Sequence, residues 1–254
     1  MVKAFPQPSK KHEETVCCAG ITEDGKSLLR LFPIRYRRLP KEDQFDRFDL
    51  VEMTITKASD PRPESYRVDE GSIHVLDRKK LSSEARVRLW SPFIAPSLKQ
   101  LMAENTTTGR SLGIIKPDPA SLKFIIKEAS QDTQEDQEVA EMLFEQASLL
   151  EDALKPLARP KFSFAYHYTC GGHPHKHQIH DWEVQAAFIN YRRQYQTEDK
   201  ALEMLQQEYG QNIPLHNLHF IMGTMASHPK TFIVIGLLRS PLDPKEVIKQ
   251  GDLF

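Results

Sequence analysis

Three cysteines in 254 residues, two of them adjacent as Cys17 and Cys18, are too few for a disulfide framework. The chain therefore reads as a cytoplasmic protein of a reducing compartment. Long hydrophobic runs are also missing. The longest, Phe232 to Leu238, has the length of a strand and is far too short to span a bilayer. Met1-Val-Lys-Ala-Phe-Pro lacks the apolar core of a signal peptide, so no membrane partner is expected. Charge of one sign is absent overall: the formal net charge is −1, so no global field draws the chain onto nucleic acid. Any such binding must come from local patches. There is no H-E-x-x-H, no D…E-x-K and no glycine-rich phosphate loop, and nucleophilic serine or cysteine catalysis has no supporting motif.

What is present fits an ordinary folded protein, with 39% hydrophobic and 27% charged residues. The first third is β-rich. Thr15 to Ile21 and Ser27 to Phe32 flank Glu23-Asp24-Gly25-Lys26, and Asp-Gly supplies the positive φ angles of a tight hairpin. Leu50 to Lys57 alternates apolar and polar residues and predicts one half-buried strand, with Ile73 to Leu76 as a fourth. Ser83 to Trp90 predicts a helix stopped by Pro92. Ser97 predicts the N-cap of another reaching about Glu104, followed by a loop over Asn105 to Gly109. Ser111 to Ile115 and Leu122 to Lys127 read as strands.

Glu128 to Asp152 carries nine acidic residues and no basic one, and its first part reads as a polar linker. From Val139 the pattern turns helical, through Leu143, Ala147, Leu150 and Leu154. The last third reads β-α-α-β-β-α. It has an aromatic strand over Lys161 to Thr169 and a helix over Ile179 to Tyr195 with Ile179, Trp182, Ala186 and Ile189 inward. A second helix follows Thr197, strands span Leu218 to Met222 and Thr231 to Leu238, and a short helix opens at Asp243-Pro244. The expected fold class is α+β: an N-terminal β-rich, barrel-like region of OB, SH3-like or PUA-like kind over 1–129, then a C-terminal α/β region over 130–254.

The densest chemistry lies in Cys170-Gly-Gly-His173-Pro-His175-Lys-His177-Gln-Ile-His180-Asp181-Trp182-Glu183. Four of the chain's ten histidines fall there, beside one thiol and two carboxylates. Zinc or another divalent metal accepts thiolate and imidazole ligands, which makes Cys170, His173, His177 and His180 the expected metal ligands. If the helix has already begun, His177 pairs with Asp181 and His180 with Glu183 on shared faces. Asp181 and Glu183 are the candidate catalytic carboxylates, able in principle to activate a metal-bound water. The bland alternative is an exposed His-rich loop ahead of a helix anchored by Trp182.

A second cluster is basic. Lys26 to Arg47 holds seven basic residues against Glu42, Asp43 and Asp46, with Leu31, Phe32, Ile34 and Tyr36 interleaved. Arg30, Arg35, Arg37 and Arg38 are the expected phosphate contacts of a DNA-binding face, and the alternative is a soluble barrel surface.

The chain ends Gln250-Gly-Asp252-Leu253-Phe254. This resembles the peptides by which bacterial DNA-processing proteins bind the sliding clamp, in the pattern Gln, any residue, Ser or Asp, Leu, Phe. Gly251 stands where leucine is usual. The resemblance implies that Leu253 and Phe254 fill an apolar pocket while Gln250 makes directed hydrogen bonds. The alternative is a tail buried against its own core. Phe5-Pro-Gln-Pro-Ser-Lys-Lys and Asp181-Trp-Glu also resemble bacterial proteins without assigned activity, so no catalytic role comes over from them. Together these features predict a DNA-associated, metal-binding accessory protein of bacterial DNA repair or defence, recruited to the clamp. The rivals are a metal-dependent phosphodiesterase or nuclease, and a zinc-stabilised interaction module without catalysis.

Overall fold

The computed structural model describes residues 1–4, 6–9, 13–78, 81–128 and 161–241. The acidic segment past Glu128, the expected boundary at 130, the helices from Val139 and Asp243, and Gln250, Leu253 and Phe254 lie outside them. The first elements in chain order are β1 (Val2–Lys3), β2 (Gln7–Ser9), β3 (Glu13–Ile21), β4 (Leu28–Ile34), β5 (Leu50–Glu52), β6 (Ile55–Lys57), β7 (Ser65–Val68) and β8 (His74–Asp77). Next come α1 (Ser83–Trp90), β9 (Ile94–Ala95), α2 (Leu98–Thr108), β10 (Leu112–Ile115) and β11 (Lys123–Glu128). The last described are β12 (Phe162–Cys170), β13 (His173–Gln178), α3 (Trp182–Tyr195), α4 (Glu198–Gln207), β14 (His219–Thr224) and β15 (Phe232–Leu238).

The fold is mixed α+β. One sheet runs β1-β3-β4-β7-β6, with β2 also on β3; another runs β15-β14-β10-β9. The three-stranded sheet β11-β12-β13 and the ribbon β5-β8 complete the set. Among the described residues these strands do not close into a barrel. The Asp24-Gly25 hairpin joins β3 to β4 as the sequence predicts, with Gly25 at φ +68°. Leu50 to Lys57 is not one strand: β5 pairs with β8 and β6 with β7, so the chain changes sheet at Met53-Thr54. Ser97 caps α2 by accepting the Gln100 N–H at 3.1 Å. That helix continues through the expected loop, because Thr106, Thr107 and Thr108 bond back to carbonyls on the preceding turn and Gly109, at φ +75°, supplies the left-handed C-cap.

Among the described residues three apolar clusters form the core. One lies in the N-terminal half, around Val16, Ile34, Phe45 and Ile73. One lies under the aromatic strand, around Phe164, Tyr166, Leu205 and Phe220. The third combines Val2, Leu28, Val87 and Trp90 with Ile114, Ile221 and Leu238, so the two halves of the chain share a core. Burying one such aliphatic or aromatic side chain contributes about 1.5–3 kcal/mol. This shared cluster is one of the ties that hold the halves against one another. No described helix is long and apolar enough to cross a membrane.

Candidate functional site

The Cys/His segment is a β-hairpin, not a turn running into a helix. Its paired glycines sit at φ +60° (Gly171) and +78° (Gly172), and a Cβ at Gly171 would fall 2.6 Å from Ser97 Cβ. Glycine is therefore required for the turn to seat against the start of α2. The register pairs Cys170 with His173, Tyr168 with His175 and Tyr166 with His177. Since side chains alternate along a strand, His173, His175 and His177 share the face of Tyr166, Tyr168 and Cys170.

Along that face exposure grows toward the turn: His177 and His175 are half-buried and His173 is exposed. The Tyr168 hydroxyl lies 3.0 Å from His177 Nδ1, and the His175 and His177 ring centroids are 6.1 Å apart. Burial pushes the His177 imidazole down to about 4 and also lowers that of His175. Both rings are thus neutral near pH 7. Cys170 points inward and donates to the Lys116 carbonyl at 3.6 Å, and burial raises its thiol, which keeps it protonated. His180 lies past the end of β13, where its backbone N–H donates to the Val234 carbonyl at 2.7 Å, and burial lowers its imidazole. The four residues Cys170, His173, His177 and His180 are not brought together. Among the described residues no three His, Cys, Asp or Glu side chains are gathered to hold a metal ion as they stand.

Helix α3 begins at Trp182, later than the spacing suggests, because Asp181 is its N-cap. The shared helix faces expected for His177/Asp181 and His180/Glu183 therefore do not form. Of the expected inward stripe, Ile179 is buried and Trp182 packs against the N-terminal cluster, but within α3 the buried residues are Val184, Gln185 and Phe188, and Ile189 is exposed. Asp181 is 1% exposed and fully engaged. Its Oδ1 accepts the Glu183 N–H at 3.0 Å, and its Oδ2 accepts the Leu237 N–H at 2.8 Å and Arg47 Nη2 at 2.9 Å. Glu183 Oε2 lies 3.0 Å from the same guanidinium. Burial raises the Glu183 carboxyl, and Arg47 opposes that shift. This is a charge cluster tying residue 47 to the start of α3 and to β15.

The arginines of the basic run are engaged inside the fold. Arg30 is 5% exposed and donates from Nη2 to the Ser111 carbonyl at 3.2 Å. Arg35 Nε pairs with Glu70 at 2.8 Å and Arg37 Nη1 with Glu14 at 2.9 Å. Arg38 ends the same 3₁₀ turn, Tyr36–Arg38, and is half-buried.

The site that local spacing missed is a cleft of about 690 Å³. Leu28, Leu31, Phe48, Leu89 and Trp90 line it from the N-terminal half, and Ile114, Ile221 and Leu238 line it from the other. Leu76 and Leu81, also in its wall, are exposed. Phe48 adopts φ +72°, a conformation that bulky side chains rarely take, and the Arg86 guanidinium lies 4.7 Å from its ring centre. Arg47 also lines the wall, with its Nε–H buried and without an acceptor among the described residues. The one sequence signal here was that Phe48-Asp49-Leu50 follows the basic run, and nothing in it marks a left-handed residue.

The chain is thus a two-part α+β protein whose parts share a core, with an open apolar cleft lined mainly by the N-terminal part. Residues 1–92 match the family described as Domain of unknown function (DUF8758). Residues 95–254, more than half of the chain, match Domain of unknown function (DUF8757), and the chain belongs to that family. The two matches meet beside Phe93, at the end of α1. No curated protein and no solved structure matches the chain.

Proposed function

We propose that this protein binds an apolar small molecule in the cleft lined mainly by its N-terminal segment and bordered by Ile114, Ile221 and Leu238. The observation that carries this reading is the 690 Å³ cleft itself, walled by aliphatic and aromatic side chains from both segments. Pockets for drug-sized ligands run from about 300 to 1,000 Å³, are mostly apolar, and favour domain interfaces. Phe48 supports it further: a strained aromatic in a cleft wall is held there by its surroundings, and such strain gathers at ligand sites.

The test is titration with N-phenyl-1-naphthylamine, whose fluorescence rises in apolar surroundings. Saturable binding at one site is expected. Ala85→Trp, which places an indole at the cleft wall from α1, should weaken it at least tenfold with far-UV circular dichroism unchanged. Absence of saturable binding, or equal binding by folded Ala85→Trp, rejects the proposal.

A second reading is the DNA-associated accessory protein of repair or defence, acting in the cytoplasm and recruited to the sliding clamp. Its support is the terminal Gln250-Gly-Asp-Leu253-Phe254 peptide, with Arg35, Arg37 and Arg38 grouped at one 3₁₀ turn. Clamp binding lost in Leu253→Ala/Phe254→Ala, and duplex binding that weakens with salt, are its expected results. Salt-independent DNA binding, or clamp binding that survives the double substitution, counts against it.

A further inference from the structure

We infer that β13 carries an open divalent-metal site whose two protein ligands are His175 and His177. The inference is independent of the cleft. It rests on how the hairpin presents the two imidazoles. Positions 175 and 177 are two apart on a strand, so both rings leave the same face, and their centroids are 6.1 Å apart. Two imidazoles on one tetrahedral ion stand about 5 Å apart, given metal–nitrogen bonds of about 2.0–2.1 Å, so a side-chain shift of about 1 Å closes the pair on an ion.

The second support lies behind the rings. A ligating histidine usually has its other ring nitrogen held by a carbonyl, carboxylate or water, which fixes the tautomer and aims the free nitrogen. His177 shows this arrangement, and His175 offers a bare nitrogen: its Nε2 is buried with no partner among the described residues. Tyr168 Oη holds His177 Nδ1 at 3.0 Å, and with Nδ1 as donor to that oxygen the Nε2 carries the free lone pair. An imidazole nitrogen left unpaired in a buried position is a cost that coordination removes.

Cys170 and His180 do not belong to this set. The thiol is committed to the Lys116 carbonyl, and His180 lies beyond the strand. His173 shares the face but is exposed at the turn and leaves the pair unchanged. With two protein ligands, water or a substrate atom fills the other positions. The site is therefore of the exchangeable kind rather than a closed structural zinc. Borderline divalent ions that favour imidazole, Ni²⁺ and Zn²⁺ first, are the class it takes.

The experiment is calorimetric titration of the untagged, full-length protein with Ni²⁺ and then Zn²⁺, beside single variants of each histidine and of Cys170. One ion per chain is expected. His175→Ala and His177→Ala should each weaken binding about 10–100-fold. His173→Ala, His180→Ala and Cys170→Ser should stay within about threefold, and melting temperature measured without metal confirms that each variant is folded. Equal binding by wild type and the His175→Ala/His177→Ala double variant overturns the inference. So does loss of binding in folded His173→Ala, His180→Ala or Cys170→Ser, which would place the ion elsewhere.

Discussion

Arg47 Nη2 lies 2.9 Å from Asp181 Oδ2, joining side chains 134 residues apart in sequence. The same guanidinium donates to the Leu237 carbonyl, and the same carboxylate oxygen accepts the Leu237 N–H. Two groups from opposite ends of the chain thus hold one point on β15. Breaking a buried, hydrogen-bonded ion pair by removing one partner costs about 3–5 kcal/mol, because the remaining charge stays buried and unpaired. Asp181→Ala and Arg47→Ala should therefore each lower the unfolding free energy read from urea titration by an amount in that range, and the double variant should cost less than their sum. Losses below about 1 kcal/mol would show that the cluster is not a structural tie.

Phe48 offers a separate comparison. A non-glycine residue in the left-handed region costs roughly 1–2 kcal/mol, which glycine avoids. Phe48→Ala removes the ring and keeps that cost; Phe48→Gly removes both. Glycine should therefore be the more stable of the two by about 1 kcal/mol in chemical denaturation, while both lose naphthylamine binding alike. Alanine equal to or above glycine would mean that the backbone at Phe48 is not strained.

These two sites mark where reading from sequence stops. Local chemistry was legible wherever one residue type dictates one conformation: the Asp24-Gly25 turn, the Ser97 cap, and the alternation of Phe162, Phe164, Tyr166 and Tyr168 that makes an inward strand face. Strand β13 was not legible, because His-Pro-His-Lys-His-Gln has no apolar alternation. Its face is set by pairing with β12 across Gly171-Gly172. Asp181 read as a catalytic candidate from its histidine neighbours, but its partners Arg47 and Leu237 come from far along the chain. Arg30 read as a phosphate contact for the same reason, since its carbonyl partner on Ser111 is 81 residues away. The cleft is invisible to spacing altogether, as its wall runs from Met1 to Leu238.

Tyr166 tests the aromatic core. Its hydroxyl donates to the Tyr209 carbonyl at 2.6 Å, and burial raises its phenol far above the usual range. Tyr166→Phe leaves that carbonyl without its donor, at a cost of about 1–3 kcal/mol. The ring stacks on Phe220 with centroids 5.1 Å apart, a contact that phenylalanine retains, so packing should change little. A loss in that range by urea unfolding, with near-UV circular dichroism preserved, is expected. A neutral substitution would mean that the carbonyl finds another donor.

Acid sensitivity should concentrate at Asp60. Hydrogen bonding from the Arg62 side chain holds its carboxyl down to about 2, against the opposing effect of burial. Arg62 in turn donates from Nη1 to the Thr224 carbonyl at 2.7 Å, so the pair links β14 to the N-terminal half. A carboxyl depressed on folding contributes stability that is complete above its unfolded value, near 3.9, and is lost as pH falls through its folded value. The window is thus about pH 4 down to 2. Asp60 is 21% exposed, so solvent screening trims the contribution to about 1–2 kcal/mol. Melting temperature followed from pH 5 to 2 should fall more steeply in wild type than in Asp60→Asn, which has already lost the charge and starts lower. Parallel curves would mean that the Asp60–Arg62 pair contributes nothing to holding the two halves together.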